Sequence, residues 1–193
     1  MSIIKETSRG YNTLQEEDIL LTSRKVFLTK EVTAETASKL IRQLMVLDDE
    51  SDEEVTFFIN SPGGDVLSGL AVYDFIKTMR SPVRTVCIGT CFSMGAILFL
   101  AGSTREIYEH SQVMIHDPSY LTNDIGGKKP LEIQSTVDKL VKMRDVLARI
   151  IADATGKPLR TILKITREDA FFTAEEALKF GLATAIVRSN KEG

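Results

Sequence analysis

Residue types that could form a nucleophilic centre are present in this sequence, and histidine is the scarcest of them. There are only two histidines, His110 and His116. A serine nucleophile needs a base within hydrogen-bond reach, an acid that orients the base, and N–H donors for the oxyanion. His116 ends an apolar, strand-like run and leads into a loop, which is where α/β folds place functional residues. His110 lies in a polar turn, so His116 is the candidate base, with a plain structural role left open.

Ser93 is the candidate nucleophile because it stands between an apolar strand-like run and an apolar helix. The surrounding sequence, Cys91-Phe92-Ser93-Met94-Gly95, is half of a G-x-S-x-G elbow, with cysteine in place of the first glycine. The start of a helix offers free N–H groups and a dipole that favour a developing negative charge. A serine at this place can equally serve only as a helix cap, so both interpretations stay open.

The loop Asn60-Ser61-Pro62-Gly63-Gly64-Asp65 is a candidate second source of oxyanion donors. Its two glycines follow an apolar strand and would let backbone N–H groups approach a substrate closely. A plain turn is the alternative, and a phosphate-binding loop is disfavoured because no Gly-Lys-Ser/Thr sequence follows. Spacing does not select the acid, for which Asp65, Asp117, Asp124 and Asp169 are all candidates.

The elements that must position these residues follow from the apolar pattern, which predicts repeated strand–turn–helix units. Such units indicate an α/β domain with largely parallel strands. We expect strands at residues 25–29, 55–59, 83–88, 105–108, 112–115 and 183–187. We expect helices after a Thr33 cap, at residues 66–79, 94–100, 131–154 and 159–165, and after a Thr173 capping box. Residues 1–24 lack a clear period and are interpreted as a partly ordered arm.

Length, charge and composition narrow the class of protein further. The chain has 193 residues and a net charge of −3, which indicates one domain and no nucleic-acid partner. Its apolar runs fall short of the roughly 20 residues that span a bilayer, so no membrane association is expected. The first residues are too polar for a secretory signal, which predicts a cytosolic protein. Cys87 and Cys91 lack companion metal ligands and are interpreted as buried thiols.

Four motifs, taken in order, resemble the proteolytic subunit of the ATP-dependent Clp protease, the ClpP family of serine peptidases. The motifs are FINSPGGDVLSGLAVYDFI, GTCFSMGAILFLAG, VMIHDPS and TREDAFFTAEEALKFGLATAIV. The resemblance extends from the segment that begins at Thr7 to Val187. Each motif alone is weak, whereas the four together with compatible spacing are highly specific.

The resemblance implies a role for each candidate residue. Ser93 corresponds to the family's nucleophile, His116 to its base and Asp169 to its acid. The N–H groups of Gly64 and Met94 correspond to the donors of the family's oxyanion hole. No cofactor is implied in this subunit, because ATP is used by a partner unfoldase.

The resemblance also implies the architecture and the partners. The fold would be a ClpP/crotonase-type spiral of ββα units within a single peptidase domain, residues 1–193. Residues 1–24 would form an axial arm, 25–122 and 159–193 a head, and 123–158 a handle with a long helix. Copies of the chain would form two stacked seven-membered rings, and an AAA+ Clp unfoldase would deliver unfolded proteins into them. Phe58 would belong to the docking surface for the unfoldase, a core position being the alternative.

Three departures from the family pattern suggest a divergent paralogue. Cys91-Phe92 replaces two alanines before the serine, and we expect the phenylalanine to alter the elbow packing or to narrow peptide specificity. Asp117 replaces a glutamine, so its carboxylate could compete for the imidazole or turn to solvent. Arg167-Glu168 reverses the charge order of a pair that latches the rings, so a salt-dependent double ring or a second ClpP-like subunit as partner is expected.

Two alternative functions stay open at this point. A catalytically silent ring subunit would only scaffold an active paralogue. A crotonase-type acyl-CoA enzyme would share the spiral core and an oxyanion hole made of two backbone N–H groups, but it would leave Ser93 and His116 without a role.

Overall fold

The fold is described from a computed structural model that covers residues 2–7, 10–119, 127 and 129–189, and it confirms the α/β class. The strands are β1 (Ser2–Thr7), β2 (Gly10–Gln15), β3 (Lys25–Leu28), β4 (Val55–Ser61), β5 (Val83–Phe92), β6 (Thr104–Tyr108), β7 (Gln112–Ile115), β8 (Ala170–Thr173) and β9 (Ala185–Val187). The helices are α1 (Glu16–Thr22), α2 (Ala34–Glu50), α3 (Val66–Thr78), α4 (Met94–Phe99), α5 (Pro130–Thr155), α6 (Leu159–Ile165) and α7 (Ala174–Phe180). In the described ranges, no helix is long and apolar enough to cross a bilayer.

The main sheet has parallel strands in the order β3-β4-β5-β6-β9, as the strand–turn–helix pattern predicts. The central strand β4 carries Val55, Phe57 and Ile59, all fully buried, as expected for a parallel strand inside a layered domain. Helix α3 packs against both α2 and α4, while α2 contacts β3 and α4 contacts β4 and β5. The six residues of α4 are all buried, so this helix holds the end of β5 in the core.

Strand β5 is longer than predicted, because the expected turn that begins at Gly89 is a bulge within the strand. Ile59 pairs with Cys87 but Ser61 pairs with Cys91, so β5 carries extra residues between these two points. Gly89 has φ 144°, and a Cβ there would lie 2.7 Å from Oδ1 of Asn60. Beyond the bulge β5 leaves β6 and pairs with β7, which brings the end of β5 beside the end of β7.

Strand β8 was not predicted, and it runs antiparallel to β7 at the edge of the sheet. Only four residues long, it lies directly before α7 and lacks a long apolar run of its own. Its last residue, Thr173, is the N-cap of α7 and accepts a hydrogen bond from Glu176 N, which confirms the predicted capping box.

Helix α5 is the predicted long helix, with Pro130 in its first turn and Gly156 ending it at φ 67°. Its buried residues are confined to its C-terminal half, at Leu147, Ala148, Ile151 and Ala152. The N-terminal half extends away from the core and carries exposed apolar side chains. The strand-like segment expected to lead into this helix, residues 123–130, lies outside the described residues except for positions 127, 129 and 130, and Pro130 is already the first residue of the helix.

The N-terminal arm is more regular than its sequence predicts. Strands β1 and β2 form an antiparallel hairpin whose pairs run from Ser2 with Gln15 to Thr7 with Gly10. Helix α1 follows, and Lys39 Nζ of α2 lies 2.7 Å from Glu17 Oε1 of α1. A hairpin held by its backbone ladder needs no apolar period, which is why the pattern of residues 1–24 did not reveal it.

Candidate active site

Ser93 lies at the junction of β5 and α4, in a backbone conformation that non-glycine residues seldom adopt. Its φ is 52° and its ψ is −119°, and it shares a positive φ with only one other non-glycine residue in the described ranges, Arg24. Its N–H donates to Met114 O at 2.9 Å, which extends the pairing of β5 with β7 by one residue. Its side chain makes no capping hydrogen bond to α4, so the geometry does not support the cap interpretation.

The imidazole of His116 connects Ser93 to Asp169. Nε2 of His116 lies 2.8 Å from Ser93 Oγ, and Nδ1 lies 2.8 Å from Asp169 Oδ1. The fold explains this contact, because Ile115 of β7 pairs with Ala170 of β8 in an antiparallel ladder. The next residues along that ladder are His116 and Asp169, so the two side chains are cross-strand neighbours.

The site is open to solvent on the side of its carboxylate. The side chain of His116 is 26% exposed and that of Asp169 is 60% exposed. Ser93 and His116 also line a small, mostly apolar cavity of about 20 Å³. Its lining includes Val66 and Leu147, so both α3 and the long helix α5 contribute walls beside the serine.

The glycine loop lies directly against the elbow. Gly63 has φ 98°, and a Cβ there would lie 2.7 Å from both Phe92 O and Ser93 Cβ. Gly64 has φ 141°, and a Cβ there would lie 2.3 Å from Val32 O. Both positions therefore require glycine, for steric as well as conformational reasons.

Two backbone N–H groups near Ser93 are free to bind an anion. Val32 N donates to Gly63 O and Asp65 N donates to Val32 O, a parallel bridge that turns the N–H of Gly64 away from Val32. Met94 is the first residue of α4, so its N–H has no acceptor within the helix. Across the described residues, no hydrogen bond uses either N–H group.

Two of the other acid candidates, Asp65 and Asp117, form no hydrogen bond with the imidazole in the described structure. Asp65 caps α3 by accepting from Ser68 N at 2.8 Å. Asp117 N donates to Thr166 O at 2.6 Å, while its Oδ1 is buried with no hydrogen-bond partner among the described atoms. Asp124 lies outside the described residues. Asp169 is thus the carboxylate that the described structure brings to His116.

The other histidine and the reversed charge pair lie apart from this chain of contacts. His110 is exposed in the turn between β6 and β7, as its polar surroundings predict. Arg167 and Glu168 are exposed in the turn before β8. Within the described residues, neither of the two forms an ion pair with the other or with a third side chain.

The two residues before Ser93 have distinct surroundings. Cys91 is fully buried, and desolvation, with a smaller contribution from neighbouring Cys87, raises the pKa of its thiol well above the ordinary value. A thiol that stays protonated is a poor nucleophile, so the interpretation as a structural cysteine fits its environment. Phe92 instead turns towards Phe171 of β8, with ring centroids 5.5 Å apart at an interplanar angle of 86°.

Sequence reasoning missed two contributors to the site. Val32, which fixes the glycine loop through its backbone, comes from the segment between β3 and α2 and carries no motif of its own. Phe171 belongs to β8, whose alternation of half-buried and exposed residues is too short to be recognised. Phe171 could have been identified only from the antiparallel register of β7 and β8, which also places Asp169 beside His116. That register is visible only in the three-dimensional structure.

Comparison with protein-family models gives a match that spans nearly the whole chain. The model described as Clp protease matches residues 8–190. The matched range includes the elbow, the glycine loop, the histidine at the end of β7 and the aspartate before β8. On this match, the chain belongs to the Clp protease family.

Proposed function

We propose that this chain is a serine endopeptidase subunit of a Clp-type protease and cleaves unfolded polypeptides. The observation that carries the proposal is the continuous hydrogen-bonded chain from Ser93 Oγ through His116 to Asp169, with both contacts at 2.8 Å. This is the arrangement of nucleophile, base and orienting acid that acyl transfer requires. Membership in the Clp protease family supports a peptide bond as the bond that is cleaved.

In the proposed reaction, His116 acts first as base and then as acid. Nε2 accepts the proton of Ser93 Oγ as the oxygen attacks the scissile carbonyl carbon, while Asp169 accepts the Nδ1–H and stabilises the imidazolium. The proton then passes from Nε2 to the leaving amine, the C–N bond breaks, and an acyl group remains on Ser93. A water molecule, deprotonated by His116, attacks this ester. The second peptide product leaves, and the proton returns from His116 to Oγ of Ser93.

The negative charge of the tetrahedral intermediate would be stabilised by Gly64 and Met94. Their N–H groups have no other acceptor among the described residues, and Gly63 packs directly against Ser93 Cβ. Fixed donors of this kind act where the charge develops and need no reorganisation during the reaction. Loss of one such donor typically costs about 3 kcal/mol in the barrier.

We further propose that the subunits assemble as two stacked seven-membered rings around a closed chamber. The support lies in α5, where Leu131 is 84% exposed, Val137 45% and Val141 40%. Apolar side chains along an otherwise projecting helix favour burial against a second copy of the chain. A closed chamber would exclude folded proteins by size, so cleavage would depend on the delivery of unfolded chains.

Delivery is assigned to an AAA+ Clp unfoldase, and ATP would be used by that partner. Phe58 is partly exposed and stacks on Phe27, whose side chain is 37% exposed, with ring centroids 4.8 Å apart. Its neighbour Phe57 is fully buried, so Phe57 serves the core while Phe58 lies on the opposite face of β4. We propose that this aromatic pair belongs to the docking surface, and that the N-terminal arm lines the axial pore. A cytosolic location and a second ClpP-like subunit in the ring belong to the same proposal.

The decisive experiment is covalent labelling with a fluorophosphonate probe, which phosphonylates an activated serine. We expect labelling of the wild-type protein, loss of labelling in Ser93→Ala and His116→Ala, and unchanged labelling in His110→Ala. His110→Ala is the matched control, because it removes the chain's other histidine from an exposed turn. Hydrolysis of an unstructured peptide should follow the same order.

Three outcomes would count against this proposal. A protein that assembles but takes up no probe, alone or with a related subunit, would be a silent scaffold. A protein whose labelling survives His116→Ala would not use the proposed base. A crotonase-type activity would show as turnover of an acyl-CoA thioester that persists in Ser93→Ala.

A further inference from the structure

The contact between Phe92 and Phe171 crosses a strand of the sheet. Phe92 ends β5 and Phe171 lies in β8, and these strands are separated by β7. Their rings nevertheless meet edge to face, with centroids 5.5 Å apart and an interplanar angle of 86°. This is the geometry that aromatic pairs favour, and it stabilises the contact even though Phe171 is 55% exposed. The contact therefore joins β5 directly to β8, across the side chains of β7.

The three residues of the proposed triad lie one or two positions beyond this row, along the same three strands. Phe92 is in register with Met114 of β7, and Met114 is in register with Phe171. Ser93 follows Phe92 immediately, and Asp169 precedes Phe171 by two residues. The aromatic pair thus connects the strand that ends at the nucleophile with the strand that begins after the acid.

The link matters to the acid because the acid precedes a short edge strand, which is otherwise held by its ladder with β7 and by the contact of Phe172 with Phe180 of α7. Strand β8 has four residues, and in the described structure it pairs only with β7. The side chain of Asp169 is 60% exposed, and among the described residues its only hydrogen bond is with Nδ1 of His116. A short edge strand with an exposed carboxylate at its start can fray away from the sheet.

We propose that the Phe92–Phe171 pair is a positioning device that holds Asp169 against His116, and that it does not contact the substrate. The inference rests on the proposed peptidase function and deepens it. The sequence led us to expect that Phe92 either alters the packing of the elbow or narrows peptide specificity. The proposal assigns it the packing role. The pair acts through the acid, so its contribution exists only while Asp169 is present.

This dependence defines the experiment, a double-mutant cycle between Phe171→Ala and Asp169→Ala. The measurement is the rate of phosphonylation of Ser93 by the fluorophosphonate probe. With Asp169 present, Phe171→Ala should lower this rate by about fivefold, the share expected for one aromatic contact. In the Asp169→Ala background the same substitution should leave the rate unchanged. An equal loss in both backgrounds, or no loss in either, would overturn the proposal.

Steady-state kinetics separate positioning from substrate contact. With an unstructured peptide, Phe92→Ala should lower kcat and leave KM and the cleavage pattern unchanged. A raised KM with altered cleavage preferences and an unchanged labelling rate would show that Phe92 contacts the substrate, against the proposal. Phe171→Tyr keeps the ring and places its hydroxyl in solvent, so it should retain the wild-type rate. Tyr108→Ala removes an aromatic ring that is 45% exposed at the end of β6, and it should also leave the labelling rate unchanged.

A readout that needs no turnover keeps this inference separate from the proposed function. A histidine Nδ1–H that donates to a carboxylate gives a far-downfield proton resonance, and with two histidines in the chain its assignment is direct. The resonance should be present in the wild type and in Phe171→Tyr, and weakened in Phe171→Ala. A wild type that shows it but takes up no probe would refute the peptidase function alone. A resonance equally strong in Phe171→Ala would refute the positioning role alone.

Discussion

At the scale of single residues, Ser93 combines an unfavourable backbone conformation with a favourable location. A non-glycine residue at positive φ costs of the order of 1 kcal/mol or more, so the surroundings have to impose it. Two anchors do so, the hydrogen bond from Ser93 N to Met114 O and the full burial of α4. The strained turn aims Oγ at the imidazole instead of at the helix it begins, which is why the serine does not act as a cap.

The first prediction at this scale concerns Gly64. A Cβ at this position would lie 2.3 Å from Val32 O, so Gly64→Ala has to displace the loop that carries the proposed oxyanion donor. We expect kcat for an unstructured peptide to fall by about 10²- to 10³-fold, with KM little changed, since the lost interaction acts on the transition state.

Gly156→Ala is the matched control for that substitution. Gly156 also has a positive φ, at 67°, but a Cβ there would meet no atom within 4 Å. It should cost stability at the end of α5 without the loss of kcat. Equal effects of the two substitutions on kcat would mean that Gly64 matters only through backbone strain.

At the scale of elements, the sequence predicted the strands and helices that are buried and have a regular apolar pattern. Strands β4 and β7 and helices α3 and α5 follow from apolar runs, and Thr33 and Thr173 cap the helices that they were expected to begin. Ser93 and His116 were found because each ends such a run. Asp169 could not be selected by spacing, since its position depends on β8, an edge strand stabilised by pairing with β7. The family resemblance supplied it instead.

The second prediction concerns Asp48, which joins the end of α2 to the turn before β5. Its carboxylate accepts hydrogen bonds from the N–H of Ser81 at 2.8 Å and of Arg80 at 3.4 Å. The bond from the Ser81 backbone is the main reason that the pKa of Asp48 lies below its ordinary value of 3.8. The charged form is thus favoured in the folded protein, and we expect Asp48→Asn to lower the free energy of unfolding at pH 7 by about 1 kcal/mol.

The pH dependence of that difference is a further part of the test. A lowered pKa adds stability above the ordinary value of 3.8, and this stability is lost as the pH falls through the lower, folded-state value. The wild type and Asp48→Asn should therefore differ in urea unfolding at pH 7 and converge below pH 3.8. Asp49→Asn, which alters the neighbouring exposed carboxylate, should match the wild type throughout. A difference that persists at low pH would point to packing as its cause.

At the scale of the whole molecule, the two halves of α5 contribute to different regions of the protein. Its C-terminal half contributes Leu147 and Ile151 to the wall of the cavity beside Ser93. Its N-terminal half carries the exposed apolar side chains that we assign to contact between rings. One helix would thus connect the proposed ring interface with the site, so that loss of the double ring should also disturb catalysis.

The last prediction tests that connection with the paired substitution Val137→Glu/Val141→Glu. These side chains lie one helical turn apart, and both are partly exposed, so they can be changed without opening the core of the subunit. Placing two carboxylates on the surface that a second copy would cover should split the double ring, measured by analytical ultracentrifugation, and should lower peptide hydrolysis in parallel. Lys142→Glu, an exposed charge change on the same helix, should leave both unchanged.

Salt concentration distinguishes the two contributions to stacking. Arg167 and Glu168 are exposed and unpaired with other described side chains, so an ion pair across the ring interface would be weakened by screening at high salt. High salt would not weaken the apolar contact along α5. The wild-type double ring should therefore dissociate partly at high salt, and the valine variant should be dissociated already at low salt. A wild-type double ring of equal stability at both salt concentrations would assign the contact to α5 alone, and an intact double ring in the valine variant would remove α5 from the interface.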